Sequence, residues 1–560
     1  MTTLNHWHAT SAVMLQPSKI DHSIASTWRK FLTLFLMLLT TTAWAWEGSG
    51  TKNAPYQIKS TGDLNQLATD VNKGTNYEGT YFKLMNNISY SYSTSWNYAG
   101  STENNYTPIG GYQKFFGGDF DGNGKTISGI RIYLNGNDHG DILRGLFGSI
   151  TSTANIHDLT LADTRITGYN AIGGIVGCSE GTITNCHVAN NVAIQSVFNQ
   201  STNAYSFGGI AGINSGTIIY CTSAVTITVS GSAGENYGAI AGENSYNGTL
   251  TDNFANGATI PEAANDTHGA IAGRDYSDTL KRNLYTNCTV ADKTSNVGCN
   301  NADVTENGGA VNGTVLVDNA DNSAAIDNLI DQANIIITGR TLYKDGAWNT
   351  LCLPFNVTIA GSVLEGNKVD VRTLSSTEFN SSTGELTLNF TDQGGITNLV
   401  AGTPYIIKWE NGSNITNLVF TGITIDKTNR DVTTNYVNFC GTYSPIVWET
   451  NNTILFLGNS NKLYFPQING DDKPHLNAFR GYFKLNGLTA SEIQHARINF
   501  DENEENGIIT TRFVEDPRGP SDITYCTNSN DWFTIDGRKL QGKPTTKGMY
   551  IHNGKKSVIK

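Results

Sequence analysis

Gly173-Gly174-Ile175-Val176-Gly177 returns as Gly208-Gly209-Ile210-Ala211-Gly212, as Gly238-Ala239-Ile240-Ala241-Gly242 and as Gly269-Ala270-Ile271-Ala272-Gly273. A looser copy, Gly145-Leu146-Phe147-Gly148, precedes them. The interval is roughly 30 residues each time. A second element follows at a short offset: Gly181-Thr182-Ile183-Thr184-Asn185-Cys186, then Gly216-Thr217-Ile218-Ile219-Tyr220-Cys221, then Gly248-Thr249-Leu250-Thr251-Asp252-Asn253. One such unit cannot bury its own apolar residues, so successive units must stack and share a continuous core. The pattern predicts a right-handed parallel β-helix, a β-solenoid in which Ile175, Ile210, Ile240 and Ile271 form an inward ladder. The glycines are expected to supply positive φ and tight corners. A β-propeller competes, but its blades need about 40–50 residues.

Composition agrees with an all-β chain. Among 560 residues there are 59 Gly and only 12 Pro, and charged residues make up 15%, a profile of short strands and tight turns rather than helices. The length allows about two to four domains. A net charge of −12 argues against nucleic acid as a partner. A stacked coil needs its open edge covered. Residues 60–74 suit this, with N-cap residues, apolar Leu64, Leu67 and Ala68, and a closing Gly74.

Arg29 and Lys30 precede an apolar run over residues 31–39, followed by Thr40-Thr41-Thr42-Ala43-Trp44-Ala45. This order reads as a signal peptide over residues 1–45, with the mature chain starting at Trp46. The run is too short to span a bilayer, and no later run is long enough, so no transmembrane segment is expected after cleavage. The stretch before Arg29 is long for a leader, and Met14 is an alternative start. Eight cysteines (178, 186, 221, 288, 299, 352, 440 and 526) would then meet an oxidising compartment. No C-x-x-C pair occurs, and no metal or cofactor is expected. Cys186 and Cys221 share one repeat offset, and stacked strands lie about 4.8 Å apart, within reach of a disulfide. A reduced pair of small core side chains is the other reading.

Residues 46–338 are assigned to the solenoid with its helical cap, residues 301–338 being its end cap and linker. Short alternating strands at Trp348-Asn349-Thr350-Leu351, Leu386-Thr387-Leu388-Asn389-Phe390 and Tyr482-Phe483-Lys484-Leu485 indicate a β-sandwich over residues 339–505. Residues 506–530 are read as a linker. Residues 531–560 form a short basic β-hairpin tail, with turn signals at Asp536-Gly537 and Asn553-Gly554.

The glycine repeats, with Trp46-Glu47-Gly48-Ser49-Gly50 and Phe116-Gly117-Gly118-Asp119-Phe120-Asp121-Gly122-Asn123-Gly124 ahead of them, resemble the GLUG-motif repeat of secreted and surface proteins of bacteria. Some proteins with this repeat are peptidases that cleave immunoglobulin A, but those carry a separate zinc domain with H-E-x-x-H. None of the 10 histidines here is followed by Glu, and that activity is not carried over. The basic tail resembles the C-terminal sorting signal of type IX secretion, which implies export through the outer membrane of a Gram-negative bacterium with that machinery as partner. The competing reading is a structural hairpin.

Asp119-Phe120-Asp121-Gly122-Asn123-Gly124 matches the first half of a calcium loop, but the twelfth position is Ile130, so a hairpin on Asp-Gly and Asn-Gly turns is preferred. No carboxylate recurs at a fixed repeat position, so no catalytic residue is nominated and the chain is not read as an enzyme. Tyr205, Tyr237, Tyr246 and Tyr276 dot the repeats and are candidate contacts for an extracellular glycan or protein, although solenoid corner packing would also account for them. The functional expectation is an adhesin-like protein, secreted or on the outer-membrane surface. A β-helix polysaccharide lyase or glycosidase is the alternative, recognised by a cleft with convergent carboxylates. A structural envelope protein is the third reading.

Overall fold

The computed structural model describes residues 46–92, 104–133, 142–197, 206–230, 235–263, 267–277, 280–291, 311–329, 333–448, 453–458, 461–466, 474–500, 508–511, 523–525, 532–534, 539–540, 548–552 and 555–559. Strand accounts for 49% of the chain and helix for 5%, so the all-β expectation holds. Residues 50–560 form one compact unit.

The repeats wind into a parallel β-solenoid of about five turns. One rung runs through Ile172–Gly173, Val176–Ser179, Thr182–Thr184, His187–Val188 and Ala193–Val197, and the next repeats it from Phe207–Gly208 to Thr226–Ser230. Equivalent strands pair in parallel: Ile183 faces Ile218, which faces Leu250, and Ile166, Ile194 and Ile227 form a second column. The predicted ladder is present, because Ile175, Ile210, Ile240 and Ile271 are fully buried. Each of the first three donates its amide to the next rung.

The glycines are required for a different reason than the sequence suggested. Gly173, Gly208 and Gly238 have no positive φ. A Cβ on Gly208 would lie 2.0 Å from the Ala211 carbonyl oxygen, and one on Gly173 equally close to that of Val176. The corner is so sharp that backbone meets backbone, leaving no room for a side chain. The left-handed positions fall instead on Asp158, Asn185, Tyr220, Asp252 and Arg282, with φ between 51° and 58°. These residues recur from rung to rung, and Asn185, Tyr220 and Asp252 among them are buried.

At the N-terminal end, the Thr61–Asn72 helix lies between the Tyr56–Ile58 and Tyr81–Leu84 strands, which pair with each other. Ser60 caps it in a reciprocal capping box with Asp63, and Leu64, Leu67, Ala68 and Val71 are buried beneath it, as the cap reading requires.

The domain boundary is corrected. The last solenoid strand is Val311–Asn312, and Thr314–Val317 already pairs with Ala333–Leu342, which pairs with Ile415–Ile423. Residues 314–338 are therefore the start of the second module, not an end cap and linker. Ile335 and Ile337 pack inward with Leu418 and Phe420, while Ile336 and Val419 pack with Phe254 and Leu284 of the solenoid. A sheet covered on both faces carries a continuous apolar run, which explains three successive isoleucines.

Behind this three-stranded sheet lies the expected sandwich. A six-stranded sheet, which includes Asp370–Asn380 and Glu385–Thr391, packs Leu374, Leu386, Leu388 and Phe390 against Val437, Phe439, Leu455 and Phe483 of a five-stranded sheet. The linker assignment is also corrected: Ile508–Thr511 extends the six-stranded sheet beside His495–Asn499, and Ile523–Tyr525 pairs with Pro474–Leu476. The acidic run before Ile508 concealed a short edge strand. The tail forms a four-stranded antiparallel sheet, larger than a single hairpin.

Candidate functional site

The site begins with one face of the solenoid. Val176–Ser179, Ala211–Asn214, Ala241–Asn244 and Ala272–Asp275 are successive strands of one parallel sheet. Strand alternation sends Ser179, Asn214, Asn244 and Asp275 inward, where they are buried. Asn214 donates to Asn244, and Asn244 donates to Asp275, each at 2.7 Å. The same alternation sends Cys178, Ile213, Glu243 and Arg274 outward in mutual register.

At the corner beyond these strands stand Tyr246 and Tyr276. Their rings stack with centroids 5.1 Å apart and planes at 29°. Tyr246 is 76% exposed, which is unusual for so large an apolar surface. The Arg274 guanidinium lies 4.5 Å from the Tyr276 ring centre. Glu243 is held elsewhere, by Asn236 at 3.1 Å and Ser245 at 3.2 Å. Among the described residues Arg274 has no carboxylate partner. Two predicted tyrosines are thus brought together into an exposed aromatic ledge with hydrogen-bonding groups beside it.

The other two candidates fare differently. Tyr237 is fully buried: it pairs with Phe207 and His268 in a corner ladder, and its hydroxyl lies 3.2 Å from Ser196 Oγ. It is a core residue, as the corner-packing reading held, and it cannot contact an external ligand. Tyr205 lies outside the described residues. So do Cys299 and Cys526.

Cys186 and Cys221 are both free thiols, which removes the disulfide. Each faces inward just after a left-handed residue. The Cys186 amide donates to Cys221 Sγ at 3.4 Å, the Cys221 amide to Asn253 Oδ1 at 2.9 Å, and the Asn253 amide to Asn283 Oδ1 at 3.0 Å. In return, each side chain donates to a carbonyl of the preceding rung, at Ile156, Ile183, Ile218 and Leu250 respectively. Cysteine and asparagine occupy the same rungs of one ladder. Burial pushes Cys186 away from thiolate chemistry, raising it well above the ordinary thiol range.

A second feature went unread in the sequence. A cleft of about 620 Å³ lies between the early rungs and residues 411–414, lined by Lys83, Asp119, Asp121, His157 and Asp158 among others. Asp119 and Asp121 point the same way from the Asp119–Ser128 strand, and Asp121 pairs in register with His157. Asn123 and Gly124 make a bulge in that strand, not the expected hairpin. The His157 ring is gripped at both nitrogens, Nε2 3.1 Å from Asp119 and Nδ1 2.8 Å from Asp158. Lys83 lies 2.6 Å from Asp121. Burial opposes charging of the ring, but the bonds to Asp119 and Asp158 and the charges of Asp119 and Asp121 outweigh it and push the His157 pKa up to about 10. Burial likewise opposes ionisation of Asp119 and Asp158, yet His157 draws both below the usual carboxylate range. The alternation in Asp119-Phe120-Asp121 was a readable signal; its partners one rung away were not.

Convergent carboxylates in a cleft are the mark of the enzyme alternative. Glycoside hydrolysis needs one carboxyl held protonated near neutral pH beside one held ionised. Here the two shifted carboxyls move down together around a fixed imidazolium. A divalent cation on Asp121, His157 and Asp158, whose candidate ligand atoms lie within 4.8 Å of one another, would have to displace the bound proton. The arrangement works as an ionic clasp joining adjacent rungs.

No family model matches the chain. Over 150 residues it is 33% identical to Halomucin of Haloquadratum walsbyi, a match covering 26% of this chain and 2% of that protein. A crystal structure from Bacteroides ovatus, provisionally described as an immunoglobulin A1 protease, aligns with 45% of this chain and 84% of its own at 18% identity and a TM-score of 0.31. At that score the likeness carries no argument.

Proposed function

We propose that this is an exported surface protein of a Gram-negative bacterium that uses its solenoid to bind a carbohydrate. The observation that carries the reading is the exposed Tyr246–Tyr276 stack with Arg274 beside it. Flat aromatic faces suit the C–H faces of pyranose rings, and neighbouring polar groups suit their hydroxyls. A rigid solenoid holds the ledge in place without an ordering cost at binding. The N-terminal leader pattern and the basic tail support delivery to the surface, the tail acting as a type IX sorting signal. The likeness to a segment of Halomucin is compatible with a surface or structural role. The clasp at His157 favours a binding role over glycan cleavage, because its shifted carboxyls are poor general acids.

A glycan array with the full chain tests the reading. Tyr246→Ala should lower binding about tenfold while leaving thermal stability unchanged, since the ring is exposed. Equal binding by the variant would sink the ledge as the contact. For the tail, fractionation should place wild type on the surface or in the medium and a chain ending at Asn530 in the periplasm. The same location for both would make the tail structural.

A further inference from the structure

The ledge adjoins a straight row of outward side chains. Cys178, Ile213, Glu243 and Arg274 stand on consecutive strands in register, so they line up along the solenoid axis. Consecutive strands are about 4.8 Å apart, so the row spans about 14 Å. Arg274 belongs to the row and also stacks on Tyr276, which joins the row to the ledge. All four row positions are half-buried, forming a shallow track rather than a bare ridge.

The charge of this surface is acidic. Glu180 is exposed just past Cys178, Glu243 is in the row, and Glu235 lies close enough to act on Tyr276. Arg274 is a nearby cation acting on that ring. A polyanionic ligand would meet net repulsion here, reinforced by a chain charge of −12.

We infer that the ligand is an uncharged, extended polysaccharide lying along the solenoid axis, with about one sugar per rung from Tyr246 and Tyr276 past Glu243 and Ile213 to Cys178. This rests on the ledge being a carbohydrate contact. The fit is one of repeat lengths: a pyranose in an extended chain advances about as far as one rung. Such a ligand gains one set of contacts per added sugar until the track ends. Glu243 and Arg274 provide an acceptor and a donor for hydroxyls, and Ile213 provides an apolar floor.

The test is calorimetric titration of the full-length protein with neutral cello-, manno- and chito-oligosaccharides of graded length, and with oligogalacturonates as the charged counterpart. For at least one neutral ladder, affinity should rise about threefold or more per unit from the disaccharide to the tetrasaccharide and then level off, and oligogalacturonates should bind at least about tenfold more weakly. Ile213→Arg, whose side chain faces outward, should weaken tetrasaccharide binding about fivefold and leave the disaccharide unchanged. The length series on wild type stands without that variant should it fold poorly. If affinity is flat with length while Tyr246→Ala still lowers binding about tenfold, the ledge reading survives and the axial track is overturned. Stronger binding of oligogalacturonates overturns the uncharged ligand. If no ladder binds and the array is blank, both readings fall.

Discussion

His157 and His187 sit in adjacent rungs, yet their surroundings drive them in opposite directions. His157 is charged and clasped, with its pKa raised to about 10 from 6.5. Burial lowers that of His187 to about 4, and its Nδ1 lies 2.7 Å from Thr222 Oγ1. The signs follow from linkage. A raised folded pKa means the stability from His157 is complete below pH 6.5 and is lost as pH rises from there through about 10. A lowered one means the stability from His187 is complete above pH 6.5 and is lost as pH falls through about 4. The contribution of the two rings should therefore peak near pH 6.5 and fall on both sides. His157→Ala should cost about 2 kcal/mol at pH 7, by leaving Asp119 and Asp158 without their shared partner, and should flatten the alkaline limb of a denaturant-midpoint profile against pH. An unchanged alkaline limb would show that the clasp is not ionic.

At the scale of the element, the inward ladder Cys186–Cys221–Asn253–Asn283 explains residue choice at a corner where the backbone turns left-handed. Each position needs a side chain that accepts an amide from one neighbouring rung and donates to a carbonyl of the other. Asparagine does both well; a thiol does both weakly. Cys221→Asn should therefore be tolerated or stabilising by up to about 1 kcal/mol, whereas Asn253→Leu should cost about 3 kcal/mol by stranding the Cys221 amide and the Ile218 carbonyl. Denaturant melts of the two variants check this, and the reverse order would refute the ladder. Peptide mapping should also find Cys186 and Cys221 alkylated only after unfolding, with no reductant needed. A mass-linked pair would restore the disulfide.

At the scale of the whole molecule, the second module is a buttress along the solenoid. Tyr220 and Arg282 hold a left-handed backbone that such residues seldom adopt, and both are engaged by the module or toward it. Tyr220 joins the module's own core cluster, and its carbonyl accepts from Asn417. Arg282 makes a two-pronged pair with the buried Asp252 at 2.6 and 2.7 Å and donates to the Gly361 carbonyl. Burial pushes the Asp252 carboxyl up despite that pairing. Arg282→Ala should thus cost about 3 kcal/mol, because it leaves a buried acid unpaired. In calorimetry the solenoid and the module should melt as one transition, and a chain ending at residue 313, with Phe254 and Leu284 uncovered, should melt earlier or aggregate. Two independent transitions in the intact chain would refute the buttress.

Local periodicity in the sequence was enough to determine the solenoid, its isoleucine ladder and the capping helix. A repeat specifies which residues recur at one register position, and burial of a shared apolar face does the rest. The sandwich was legible for the same reason, through alternation within single strands. Of the four candidate tyrosines, Tyr246 is exposed and stacks on the half-buried Tyr276. Only the tertiary structure decided that Tyr237 is core, that residues 314–338 belong to the second module, and that Cys186 and Cys221 remain thiols. It also decided that Asp119 and Asp121 meet His157, and that the corner glycines answer to a backbone collision rather than to φ. All but the last depend on contacts between residues more than 20 positions apart, or on which face of a sheet is covered; the glycine collision is local and depends on how sharply the corner turns. A repeat places a side chain on a rung, but only the fold determines what lies across from it.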